Sequence, residues 1–78
     1  MTITLLEKPQ CPQCKATERY FNKHGIPYHA EEFNDETLSL ARSLGYSSAP
    51  VVLVKDKSGK LIDSWFGFRP EHISNYAN

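Results

Sequence analysis

Two cysteines stand three positions apart in Cys11-Pro12-Gln13-Cys14, a pair whose chemistry is thiol–disulfide exchange. A helix starting near Pro12 to Cys14 would leave Cys11 at its N-terminal end. Several backbone N–H groups there lack intrahelical partners and sum to about half a positive charge, which favours a thiolate over a thiol. In such motifs cysteine pKa values fall from about 8.5 to between roughly 3.5 and 7.5. The thiolate is the nucleophile, so Cys11 is the expected attacking sulfur. Cys14, one turn further in and more shielded, suits the second step, attack on the mixed disulfide that Cys11 forms. Pro12 presets the backbone for a helix start and has no N–H to leave unpaired. Lys8 can set a second positive charge beside Cys11.

The same cysteines also open a metal-like series, Cys11-x2-Cys14-x9-His24-x4-His29, with ligand types in zinc-finger order. The gap before His24 is shorter than the usual spacing, and Gly25 and Pro27 part the two histidines. His24 reads more simply as a helix-end residue, favourable there when protonated. A small zinc-binding module therefore ranks third among the readings, and no metal is expected.

The elements that must hold the cysteines follow from the apolar pattern. Thr2-Ile-Thr-Leu-Leu is β-branched or apolar and ends at the polar loop Lys8-Pro9-Gln10, which marks a first strand. A helix is expected from about Cys14 to His24, with Ala16, Thr17, Tyr20, Phe21 and His24 along one side. Gly25 stops it and Pro27 prevents its resumption. Tyr28 to Phe33 is a second strand, weakened by Glu31 and Glu32. Asn34 or Asp35 can cap a second helix carrying Leu38, Ala41 and Leu44 before Gly45. Val51 to Val54 is the continuous apolar run of a central strand covered on both faces. Ser58-Gly59 turns the chain, Leu61 to Trp65 returns as an edge strand, and Pro70 opens a last helix to about Tyr76. The order β-α-β-α-β-β-α predicts one mixed sheet with helices on its faces, parallel in its first βαβ unit and closed by an antiparallel hairpin.

Composition narrows the functions. With 78 residues the chain has the length of one domain, 1–78, and 40% of them are hydrophobic. Nine basic residues balance nine acidic ones, which gives no basis for binding nucleic acid or an anionic membrane. The longest apolar run is too short to span a bilayer. Met1 to Leu6 is too brief for the apolar part of a signal peptide. Two cysteines are too few for the disulfide framework of a secreted domain, so a reducing cytoplasm is expected; a monomer is the default expectation.

Set on this framework, the motif resembles the thioredoxin superfamily and, within it, the glutaredoxin-like NrdH-type redoxins. The resemblance spans nearly the whole chain. It rests on Lys8-Pro9, the Cys11 to Cys14 motif, Gly45-Tyr46, Ala49-Pro50-Val51-Val52 and Trp65-Phe66-Gly67-Phe68-Arg69-Pro70. The last block is the most specific, because NrdH-type redoxins carry W-S-G-F-R-P there. Phe66 departs from the usual serine. Pro12 is the glutaredoxin choice, whereas Gln13 fits the NrdH-type C-V-Q-C or C-M-Q-C.

The resemblance implies a thioredoxin-like fold with a four-stranded mixed sheet and a redox-active Cys11–Cys14 disulfide. It implies a cis proline at Pro50, with Ala49 offering its backbone to an incoming peptide. Trp65, Phe66, Gly67, Phe68 and Arg69 would form a partner-binding surface. The implied role is electron donor to ribonucleotide reductase, with thioredoxin reductase and NADPH restoring the dithiol. The chain has no glycine-rich fingerprint for FAD or NADPH, so both belong to the partner. The alternative is a glutathione-dependent glutaredoxin. Against it, the Gly-Gly pair and following Asp that hold the tripeptide in glutaredoxins are replaced here by Phe66-Gly67-Phe68-Arg69-Pro70.

Overall fold

The aliphatic N-terminal run forms β1 (Thr2–Glu7), one of the two inner strands of the sheet. The structure is a computed structural model describing residues 1–77. After β1 come α1 (Pro12–Lys23), β2 (His29–Glu32), α2 (Asp35–Ser43), β3 (Val51–Lys55), β4 (Leu61–Phe66) and α3 (Pro70–Ile73). A 3-10 turn, Ser74–Tyr76, follows α3, so the last expected helix is a short one that tightens. The strands lie in the order β2-β1-β3-β4. β1 runs parallel to β2 and antiparallel to β3, and β4 is antiparallel to β3. This is the thioredoxin-like architecture, a mixed four-stranded sheet with helices on both faces.

The alternation along β3 divides the core in two. Val52 and Val54 join Ile3, Leu5, Phe21, Ile26, Trp65 and Ile73 beneath α1 and α3. Val51 and Leu53 join Leu6 and Ala41 beneath α2. All four valine and leucine side chains of β3 are buried, as a strand covered on both faces requires.

Local chemistry explains the ends of the elements. Asn34 caps α2: its side chain accepts from Thr37 N at 2.8 Å while Thr37 Oγ1 accepts from Asn34 N at 2.8 Å, a reciprocal capping box. Asp56 organises the β3–β4 turn by accepting from the backbone of Ser58 and Lys60. α1 begins two residues earlier than the spacing suggests, at Pro12, and its buried residues are Cys14, Thr17 and Phe21. Of the expected side, Thr17 and Phe21 are buried and Ala16 and Tyr20 half-buried, so the stripe holds except at its end. His24 is exposed at the C-terminal cap, and Cys14 heads the inward face. With the helix starting at Pro12, Cys14 lies one turn before Thr17 on that face.

Candidate active site

Cys11 is the N-cap residue of α1 and Pro12 follows at its first position. The Cys11 carbonyl accepts from Lys15 N at 3.1 Å, closing the first turn of the helix. Its Sγ accepts a hydrogen bond from Cys14 N at 3.2 Å, so the sulfur occupies the place of a capping oxygen. A thiolate there would gain from that N–H and from the helix dipole. Cys11 and Cys14 form a disulfide across a Cα–Cα distance of 5.2 Å. The two sulfurs differ in access. Cys14 is 1% exposed, whereas Cys11 is half-buried and reachable. Thr17, buried one turn on, satisfies its hydroxyl on the Gln13 carbonyl at 2.8 Å.

A loop from the other end of the chain is fastened to this motif. The Ala49–Pro50 peptide is cis, and the Pro50 carbonyl accepts from Gly67 N at 2.8 Å. Gly67 has φ +81°, a left-handed conformation that a side chain would strain. Gln13 Oε1 accepts from Phe68 N at 3.1 Å, bridging 55 residues of sequence. A Cβ on Gly67 would stand 3.4 Å from that same oxygen, so the approach is close. The loop thus rests on both walls of the disulfide site.

Its aromatic residues separate by direction. Trp65, grouped above with the partner-binding residues, is 3% exposed and turned into the core, where it stacks on His72 at 4.2 Å. Phe66 and Phe68 point outward, 41% and 36% exposed. Phe66 lies 5.4 Å from Tyr46, and Phe68 meets Tyr20 edge-on at 5.8 Å. Arg69 sits 5.8 Å over the Phe66 ring and donates from Nε to the Phe66 carbonyl at 3.3 Å.

On the opposite flank, a cleft of about 200 Å³ runs between β1, the Lys8–Gln10 loop and α1, and both cysteines line it. Lys8 and Lys15 lie on its rim with Glu7 and Glu32. Burial, a hydrogen bond with Glu18 and the Glu18 charge push the Glu7 carboxyl up to about 7, against the opposing pull of Lys15. Burial and the Glu18 charge also raise the Tyr28 hydroxyl. Lys8 faces a second hollow as well, about 150 Å³, shared with Arg42, Tyr46, Ser47 and Ser48.

The residues singled out from the sequence do converge. Cys11, Cys14, Pro12 and Gln13 occupy the first turn of α1, and Lys8 lines the adjoining cleft. Pro50 and Gly67 meet through a hydrogen bond, Phe66, Phe68 and Arg69 form the outer loop, and Ala49 is half-buried beside Pro50. Missed were Glu7 and Glu18, and Tyr46 enters only as part of the resemblance. Glu18 could have been noticed four residues after Cys14, on the same side of the helix. His24 stacks on Tyr20 and His29 starts β2. Among the described residues no group of three or more His, Cys, Asp or Glu side chains could hold a metal ion.

A redox-active dithiol at the start of the first helix, on a thioredoxin-like sheet, defines a thiol–disulfide oxidoreductase. A family model for glutaredoxins matches residues 3–58. The glutaredoxin-like protein NrdH of Escherichia coli strain K12 is 32% identical over 76 residues, 95% of this chain and 86% of that protein. The NrdH of Lactococcus lactis subsp. cremoris is 25% identical over 77 residues, 96% and 99% of the two chains. The solved NrdH-redoxin from Escherichia coli, described as having a thioredoxin-like activity profile, superposes with a TM-score of 0.85. That match has 30% identity and covers 100% of this chain and 97% of that one. The chain belongs to the glutaredoxin family, in its NrdH-type branch.

Proposed function

We propose that this protein is a cytoplasmic dithiol electron donor to ribonucleotide reductase, itself re-reduced by thioredoxin reductase at the expense of NADPH. Cys11, as thiolate, attacks the substrate disulfide, one substrate sulfur leaves as a thiolate, and a mixed disulfide forms. Cys14 then attacks Cys11, the second substrate sulfur leaves, and the Cys11–Cys14 disulfide is the product. Two electrons pass from the dithiol to the substrate. Thioredoxin reductase returns two electrons through its own bound groups, so this chain holds no cofactor. Ala49 and the loop Phe66 to Arg69 receive the partner, as a monomer meeting each protein transiently.

One observation carries the choice of a protein partner. Gln13 holds the loop so that Phe66 and Phe68 stand outward beside the disulfide, an apolar face suited to a protein surface. The glutathione reading keeps one point in its favour. Lys8 and Arg42 edge a small hollow next to the site, where a carboxylate could bind. Arg69, on the other hand, sets a cation where glutaredoxins use an acid for the ligand's amine.

The two electron sources are separated by reduction of a ribonucleotide reductase disulfide by this protein in two mixtures. The expected result is turnover with NADPH and thioredoxin reductase and little with glutathione and glutathione reductase. Turnover only with glutathione would overturn the proposal.

A further inference from the structure

If Cys14 resolves the mixed disulfide, as proposed above, it must lose a thiol proton first. It is almost wholly buried, and burial holds a thiol in its protonated form. An acceptor within the fold is needed. Glu7, at the end of β1, lines the cleft that Cys11 and Cys14 also line. The cleft has room for water to bridge a carboxylate and a thiol. Glu18 lies one helical turn beyond Cys14 on α1, and its charge is among the causes that raise Glu7. The other charged groups facing Glu7 are Lys15 on α1 and Glu32, its register partner on β2. Lys8 follows it in the chain, and the Tyr28 hydroxyl lies within reach of its charge. Burial and Glu18 bring the Glu7 carboxyl to about 7, where a general base is most effective near neutral pH.

We propose that Glu7 is the proton acceptor for Cys14 in the resolving step, with Glu18 as its positioning partner. The Cys14 proton passes to a Glu7 carboxylate oxygen, directly or through one water. The Cys14 sulfur bonds to Cys11, the bond from Cys11 to the substrate sulfur breaks, and that sulfur leaves as a thiolate with the bonding pair. When the disulfide is reduced again, protonated Glu7 returns the proton to Cys14.

The test mixes the reduced full chain with an aromatic disulfide that releases one coloured thiolate at each exchange step. Both releases are followed by stopped flow on either side of neutral pH. Glu7→Gln should slow the second release near pH 7 on the order of 10²-fold, the low end for a general base, with the effect confined to that step. Its rate profile should also lose the inflection near pH 7. Glu18→Gln removes a like charge and sets an amide donor beside the Glu7 carboxylate, so the inflection should move to lower pH. A second release with an unchanged profile in Glu7→Gln would overturn the proposal, as would equal slowing of both releases. Cys11→Ser and Cys14→Ser in the same assay separate this from the reading on which it rests. A fast first release kept in Cys11→Ser and lost in Cys14→Ser would mean that Cys14 attacks first, and the order of the cysteines would fail instead.

Discussion

Gln13 shows how one side chain can tie a reactive motif to the surface that serves it. It stands between the two cysteines, and its carbonyl oxygen holds Phe68 N across the site. Removing that acceptor frees the loop without touching either sulfur. Gln13→Ala should therefore raise KM for a protein disulfide roughly tenfold, about 1.4 kcal/mol of binding, with little change toward a small disulfide. Steady-state kinetics on both substrates checks this, and an equal loss on the two would contradict it. At this scale the sequence was informative about the cysteines, because their type and spacing point to thiol–disulfide exchange and only the setting was needed to set zinc aside. Glu7 was opaque. It reads as the polar end of a strand, and only the packing of α1 over β1 brings it to Glu18.

The C-terminal element owes its place to a polar latch as much as to Ile73. Asp63 on β4 accepts from His72 Nε2 at 2.8 Å, from the Tyr76 hydroxyl and from Ser64 N. Burial alone would raise the Asp63 carboxyl, but these hydrogen bonds and the His72 charge outweigh it and hold the group below its ordinary value. The same contact, after burial, pushes the Tyr76 hydroxyl up to about 12. A carboxylate with a depressed folded pKa adds stability that is present above its unfolded value and lost as pH falls through the folded one. Asp63→Asn should lower Tm at neutral pH by roughly 5–10 °C, from about 1–2 kcal/mol of charge-assisted hydrogen bonding. That difference from the parent should begin to shrink as pH falls below about 4, the unfolded value, and vanish once it passes the lower folded value. Calorimetry across acid pH measures it; an offset that stays constant would contradict the latch. The strands, the capping Asn34 and the helix-opening Pro70 were legible because local propensity and tertiary packing agree there. The face of α1 was legible at Thr17 and Phe21 but not at Cys14, which joins it only because the helix starts at Pro12. Nor was the latch, whose partners come from three different turns of chain.

At the scale of the molecule, the sheet separates two cores and gathers the site at one end. The Cα radius of gyration is 11.6 Å, close to the roughly 11–12 Å of a compact globule of this length. Among the described residues no helix is long and apolar enough to cross a membrane. The fold was readable as a whole because its order of elements admits few topologies once β3 is fixed as a central strand. The outward aromatic face proposed to receive a partner came from a resemblance, while strand alternation accounts for its neighbours: Trp65 fills the core and Phe66 meets solvent. The central claim is that Cys11 attacks and Cys14 resolves. Intact-mass analysis of each single serine variant, after mixing with a disulfide substrate, tests it most directly. Cys14→Ser should accumulate a mixed disulfide on Cys11, while Cys11→Ser should neither turn over nor trap substrate. Accumulation on Cys14 in the Cys11→Ser variant, with none in Cys14→Ser, would contradict it.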